Sequence, residues 1–273
     1  VSTSLVIHEL GGVTVALGLR AGFTGQQLTA LLDARGVLHD FAEAQGETRT
    51  AIVLIDIEAG QQSTITAPTL QATPDSLNHL HALLERHAPD AWGVVCGGTL
   101  PSGLPPDSHA RLLRHAREFG LITLLDASGE ALRQGVAGRP DILKINRHEL
   151  EALDAESAGY TEPGSLAAWL HPQLDRWSAV GLVITLGEQG ALAVTSAGDY
   201  WARPPRVPVA NTAGAGDALG AGLMLALSRG LDWPEALTLG TAAAASVVMN
   251  EGTAICKRNQ VEALLPQARI ERL

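Results

Sequence analysis

Asn211-Thr212-Ala213-Gly214-Ala215-Gly216-Asp217-Ala218-Leu219-Gly220-Ala221-Gly222 passes from a string of small residues straight into an apolar helix, expected over 219–227. Glycine lets a ligand approach the backbone closely, and the unpaired amides of a helix N-terminus attract anions. One carboxylate, Asp217, stands in the first turn. As a helix-start residue it would simply be stabilised by the dipole. At a phosphate site its charge would oppose the ligand unless it served as base for a hydroxyl attacking the phosphate. That second reading is phosphoryl transfer.

Outward from this run the chain alternates short apolar segments with helical patterns. Segments 13–19, 91–96, 121–126, 141–145 and 180–186 read as strands, the last four of the fully buried kind. Helical patterns fall at 24–35, 74–87, 106–119 and 165–177. This rhythm predicts an α/β fold: a doubly wound, mainly parallel sheet with helices on both faces and right-handed crossovers. Such sheets bind ligands beyond the carboxyl ends of their strands, where Gly97-Gly98, Ser128-Gly129, Asn146 and Gly187 fall. Residues 191–195 and 200–202 read as antiparallel edge strands, and 240–249 as a buried helix packed closely on a neighbour. One region breaks the rhythm. Over 38–68, alternating segments at 50–57 and 62–66 flank a turn at Glu58-Ala59-Gly60 and predict a β-hairpin lid on an otherwise single domain of 1–273.

Composition limits the partners. The net charge of −10, without a Lys/Arg-rich run, excludes a nucleic-acid or anionic-membrane surface, so local groups must hold any anionic substrate. Two cysteines, Cys96 and Cys256, lack metal spacing and suit a reducing compartment. With neither a membrane-length apolar stretch nor a signal-peptide pattern, the expected location is the cytoplasm. The nine histidines show no ligand spacing, and the five tryptophans read as packing.

Residues 211–222 resemble the second signature of the PfkB (ribokinase-like) carbohydrate kinases, and other segments agree in the family's order. Gly97-Gly98-Thr99-Leu100-Pro101-Ser102-Gly103-Leu104-Pro105 is similar to a loop of the hexose-phosphate branch. So are Asp126-Ala127-Ser128-Gly129-Glu130-Ala131-Leu132 and Lys144-Ile145-Asn146-Arg147-His148-Glu149-Leu150. Thr185-Leu186-Gly187-Glu188-Gln189-Gly190-Ala191 resembles the nucleotide loop, and Asn250-Glu251-Gly252-Thr253 the segment near the adenine pocket. Five ordered motifs are far more specific than one glycine-rich loop.

The resemblance implies an ATP- and Mg²⁺-dependent kinase that converts a hexose monophosphate to a bisphosphate, with fructose 1-phosphate the leading substrate. Asp217 becomes the base, and the amides of Gly214, Ala215 and Gly216 the anion hole. Lys144, Asn146, Thr185, Gly187, Gly190, Thr212, Asn250 and Gly252 would border the nucleotide. Asn146 and Glu149 would organise magnesium through its waters. Arg49, Gly98, Thr99 and Asp217 would meet the sugar phosphate, Arg49 through its planar fork. Bland alternatives stand beside these roles. Asn-x-x-Glu is also a helix cap with its capping-box partner, and Lys144 could be a strand-end lysine reaching solvent. Thr212 could be a cap, 185–190 an ordinary turn, and Arg49 solvated.

The start departs from the family. Val1-Ser2-Thr3-Ser4-Leu5-Val6-Ile7-His8-Glu9-Leu10 aligns with the helix after the family's sugar-side glycine loop, and Ser2 falls where relatives carry a sugar-binding asparagine. Since every catalytic-side motif is intact, a truncated sequence is the expected explanation. A homodimer through the lid is the family expectation.

Overall fold

The computed structural model describes residues 1–56 and 61–273. It divides into two compact units: 1–13, 88–99 and 106–273 form the first, and 14–87 with 100–105 the second. The first begins with α1 (Ser2–Glu9), whose N-cap is Val1 without a side-chain cap bond.

The second unit holds β1 (Val15–Arg20), α2 (Gly22–Ala34), β2 (Leu38–Glu43), β3 (Gln45–Gly46), β4 (Ala51–Asp56), β5 (Gln61–Thr66), β6 (Leu70–Gln71) and α3 (Ser76–His87). Leu38–Glu43 pairs parallel with β1, after a crossover through α2, instead of joining the hairpin expected over 38–68. Its half-buried pattern, without clean alternation, suits a parallel partner. The antiparallel hairpin itself is β4–β5, with Ile52 opposite Ile65 and Leu54 opposite Ser63. The expected turn at 58–60 lies outside the described residues. Glu47 fastens the segment before the hairpin to the start of α2: its carboxylate accepts from Phe23 N, Thr24 N and Thr24 Oγ1 at 3.2, 3.0 and 2.8 Å. These bonds, led by the Thr24 amide, hold the Glu47 carboxyl below its ordinary value.

The first unit continues with β7 (Gly93–Gly97), α4 (Ser108–Glu118), β8 (Ile122–Asp126), α5 (Gly129–Gly135), β9 (Ile142–Asn146), α6 (Arg147–Leu153), α7 (Pro163–Trp177) and β10 (Gly181–Thr185). After these come β11 (Ala191–Thr195), β12 (Gly198–Arg203), α8 (Ala215–Ser228), α9 (Trp233–Val248), α10 (Arg258–Leu264) and β13 (Arg269–Arg272). Its seven-stranded sheet has the order β13-β12-β11-β10-β9-β8-β7. Strands β7 to β10 are parallel, and β11 to β13 extend the sheet antiparallel.

Period-2 alternation divides the core. Leu125, Leu143, Ile145, Leu182, Ile184, Leu192 and Val194 point to one face and pack with residues of α4 to α7. Leu124, Ile142, Val183, Ala191 and Ala193 point to the other, against α8 and α9. Each fully buried leucine, isoleucine or valine contributes about 1.5–3 kcal/mol. On the α8 side the sequence uses alanine and glycine, and the elements come close. A Cβ at Gly222 would stand 2.7 Å from Gly240 Cα, so α8 and α9 cross almost backbone to backbone. Helix α9 starts on a capping box between Asp232 and Glu235 and carries the buried small residues expected over 240–249.

Candidate active site

Strand β9 carries Lys144 with the parity of Ile142, so its side chain goes beneath α8 and not out to solvent as the strand-end reading would have it. It is 4% exposed, and its Nζ lies 2.8 Å from Asp126 Oδ2 at the end of β8. Helix α8 accommodates it by lacking side chains. A Cβ at Gly216 would stand 3.3 Å from Lys144 Nζ, and one at Gly220 3.4 Å from Lys144 Cδ and Cε. Two glycines of the motif are thus explained by a lysine 72 and 76 residues earlier in the chain.

The loop into α8 is set from within. Asn211 is buried, its Nδ2 donating to Glu251 O at 2.8 Å and its Oδ1 accepting from Ala213 N at 2.8 Å. Gly214, the N-cap of α8, has φ +89°, and a Cβ there would stand 2.8 Å from Ala254 N. No side chain caps this helix. Its first amides, including those of Gly216 and Asp217, therefore form an anion-attracting end. Exposed Thr212 accepts the Ala215 amide at 3.2 Å through its carbonyl.

Asp217 shares a cleft of about 180 Å³ with Gly98, Thr99, Asp126, Ala127, Ser128 and Glu149. Burial, then the Asp126 charge, raises its carboxyl above the ordinary aspartate value; Lys144 and a hydrogen bond from Ser2 pull the other way. A base with a raised proton affinity is better matched to a near-neutral reaction than a solvated aspartate. The sequence reading gives Asp126 no site role, whereas Ser128 falls past a strand end where ligands are expected and Ser2 where relatives carry a sugar-binding asparagine. The strand-end rule could have found Asp126, since it ends β8 as Asn146 ends β9.

Asn146 and Glu149 form the capping box of α6. Asn146 Oδ1 accepts from Glu149 N at 2.9 Å, and Glu149 Oε2 from Asn146 N at 2.7 Å. The cap uses one acceptor position on the Asn146 oxygen, as it uses one on Glu149, and its expected role through magnesium-bound water stays a proposal. Glu149 commits one oxygen to the cap and still lines the cleft. Among the described residues, no three His, Cys, Asp or Glu side chains are grouped to hold a metal. The donor set therefore fits magnesium kept largely hydrated and held through one carboxylate and substrate phosphates, not a protein cage.

The turn after β10 contains one short 3₁₀ segment, 187–189. Thr185 pairs with Asn146 at the carboxyl end of the sheet. Gly187 has φ +62° with open space where a Cβ would point. Gly190, at φ +94°, has no such room: a Cβ would fall on Ala202 O. The Asn250 amide donates to Ser246 O, Ile255 O and Gln260 Oε1, at 2.7, 3.2 and 3.0 Å, so its NH₂ group holds the chain after α9 together. Gly252 lies in the same segment, its Cβ position taken by Ile255. Arg49 is exposed, in the second unit.

Comparison with known proteins places the chain among its relatives. The model of the pfkB family carbohydrate kinases matches residues 2–260. The chain is 32% identical over 263 residues to ATP-dependent 6-phosphofructokinase isozyme 2 of Mycobacterium tuberculosis (strain H37Rv), covering 96% of this chain and 76% of the relative. It is 35% identical over 247 residues to 1-phosphofructokinase of Rhodobacter capsulatus, covering 88% and 75%. Phosphofructokinase-2 from Escherichia coli, solved in complex with substrates and products, superposes with a TM-score of 0.85 at 26% identity, covering 97% and 85%. The chain belongs to the pfkB family of carbohydrate kinases.

Proposed function

We propose that the protein transfers the terminal phosphoryl group of ATP to fructose 1-phosphate, giving fructose 1,6-bisphosphate and ADP. The observation that carries the chemistry is the position of Asp217: raised in proton affinity, in the first turn of an uncapped helix, within a cleft shared with Gly98 and Thr99. Asp217 takes the proton of the attacking hydroxyl, whose oxygen bonds to the terminal phosphorus as the bond to the departing ADP oxygen breaks. The amides of Gly214 and Gly216 stabilise the negative charge on the transferred group, and that of Ala215 joins them only by giving up its bond to Thr212 O. Glu149, with Asn146, would hold magnesium through its waters, and the ion would supply neutralisation of the charge on the nucleotide phosphates. Lys144, Thr185, Gly187, Gly190 and Thr212 border the nucleotide phosphates or the segments that carry them, and Gly252 the base. Thr99 and Gly98 meet the sugar, and Arg49 its phosphate.

Fructose 6-phosphate is the second reading, favoured by the name of the Mycobacterium relative; tagatose 6-phosphate is a third. The enzyme is read as cytoplasmic; among the described residues no helix is long and apolar enough to cross a membrane. We also read the hairpin as the contact between two copies, since Ile52, Leu54 and Ile65 are all more than half exposed. Gel filtration of the wild type against Ile52→Lys tests this, a monomeric wild type refuting it. ADP release measured with the three sugar phosphates tests the main reading. Fructose 1-phosphate should give the highest kcat/KM; a higher value with another sugar phosphate reassigns the substrate, and no turnover with any removes the kinase reading in favour of a nucleotide- or sugar-phosphate-binding protein. Arg49→Gln should raise the KM for the sugar phosphate while leaving that for ATP unchanged.

A further inference from the structure

We propose that Trp201 is a positioning residue for ATP, holding the turn after β10 through a single hydrogen bond; this rests on the reading of 185–190 as the nucleotide loop. The turn closes on itself: Leu186 N donates to Gly190 O at 2.7 Å, Gln189 N to Leu186 O at 3.2 Å, and Gly190 N to Gly187 O at 3.0 Å. None of these bonds fixes the turn against the rest of the sheet. Two features do. Gly190 sits against Ala202 O and Pro204, and the Trp201 indole donates from Nε1 to Gln189 O at 2.9 Å.

Trp201 does more than the packing expected of the tryptophans, since its indole nitrogen is a hydrogen-bond donor. Its neighbours on β12, Tyr200 and Ala202, enter the core on the α8 side, so Trp201 lies on the opposite face, half-buried. Two residues on, Arg203 shares that face and places its guanidinium carbon 3.9 Å from the centre of the indole ring. Arg203 Nη2 in turn reaches Glu271 Oε2 at 3.1 Å, on the neighbouring β13. A row of three side chains thus runs across β12 and β13 and ends on the carbonyl of the loop. Exposed ion pairs and stacks of this kind add little to global stability. What the row does is fix the orientation of an indole whose only polar atom is committed to the turn. A turn so held presents the amides of Gly187 and Glu188 in one place before ATP arrives, which lowers the ordering cost of binding.

The test is steady-state kinetics of Trp201→Phe, which keeps a ring under Arg203 and removes the donor. One neutral hydrogen bond to the loop corresponds to roughly a 3- to 10-fold rise in KM for ATP. The KM for the sugar phosphate and kcat should stay within about twofold. An unchanged KM for ATP, or a parallel loss in both substrates, overturns the proposal. Hydrogen exchange of the wild-type chain with and without ADP supplies a second measurement independent of how the variant folds. ADP should slow exchange at 187–190. If the wild type turns over sugar phosphate but ADP leaves these amides unaffected, the kinase reading stands and the role of Trp201 falls. If nothing is turned over, the kinase reading itself fails.

Discussion

The start of α8 and the turn after β10 are both glycine turns serving one sheet, yet they are built in opposite ways. The first is set from inside: Asn211 is buried, Gly214 touches the backbone at Ala254, and Gly216 and Gly220 leave room for Lys144. The second lies on the surface, anchored by Gly190 and by an indole on an edge strand. Glycine therefore has three causes here. Gly190 and Gly214 are required by approaching backbone, Gly216 and Gly220 by a neighbouring side chain, and Gly187 by its positive φ alone. The comparison suggests that the α8 end fixes the charge environment of the chemistry, whereas the outer turn fixes only where a ligand rests.

The largest effect should come from the inner turn. Asp217→Asn removes the base and should lower kcat by about 10²- to 10⁴-fold with ATP binding retained. Retained full activity would refute the base role. The same substitution should stabilise the fold. Because the folded state raises the carboxyl's proton affinity, the folded chain binds a proton more tightly than the unfolded one. Stability then falls as pH rises from the unfolded value through the folded one, and above that window the wild type carries the full penalty of a desolvated carboxylate. Melting temperatures of variant and wild type should accordingly diverge as pH rises; convergence would contradict the burial argument. Gly190→Ala comes next, since its positive φ and the Ala202 carbonyl together should cost about 2–4 kcal/mol, read as a large fall in melting temperature. Gly216→Ala should cost less, because its φ is not positive and the one close atom, Lys144 Nζ at 3.3 Å, need give by only a few tenths of an ångström.

Lys144 offers a way to separate charge from shape. The Lys144→Met variant keeps the volume beneath α8 but removes the cation that lowers the Asp217 proton affinity. The acidic limb of the kcat/KM profile should move to higher pH, and Asp126→Asn should move it to lower pH. An unmoved limb in both variants would show that the titrating group lies elsewhere.

Much of this was legible in sequence because the signals were local. The βαβ rhythm, the apolar helix expected over 219–227 and the Asn146–Glu149 spacing each depend on a few neighbouring residues. What escaped were pairings across the sheet. Asp126 and Lys144 come together only through the β8–β9 register, and no helical or strand period links Trp201 to Gln189. Strand 38–43 was assigned to the lid because parallel partners joined by a helix carry no turn signal between them. Asn146 illustrates a different limit: ligand and cap use the same residue types at the same spacing, and the capping box they form leaves acceptor positions for both roles.

The smallest expected effect is also the one that best separates ligand access from turn geometry. Gly187 has φ +62° and nothing near its missing Cβ, so alanine there meets only the left-handed backbone cost of about 1–2 kcal/mol. In a chain of this size that is a fall of a few degrees in melting temperature. If a phosphate or ribose comes against this glycine, the added methyl group should also raise the KM for ATP beyond anything the stability change explains, with the KM for the sugar phosphate untouched. If the melting temperature falls while both KM values hold, Gly187 serves the turn alone, and ligand contact belongs to the side of the loop that Trp201 holds.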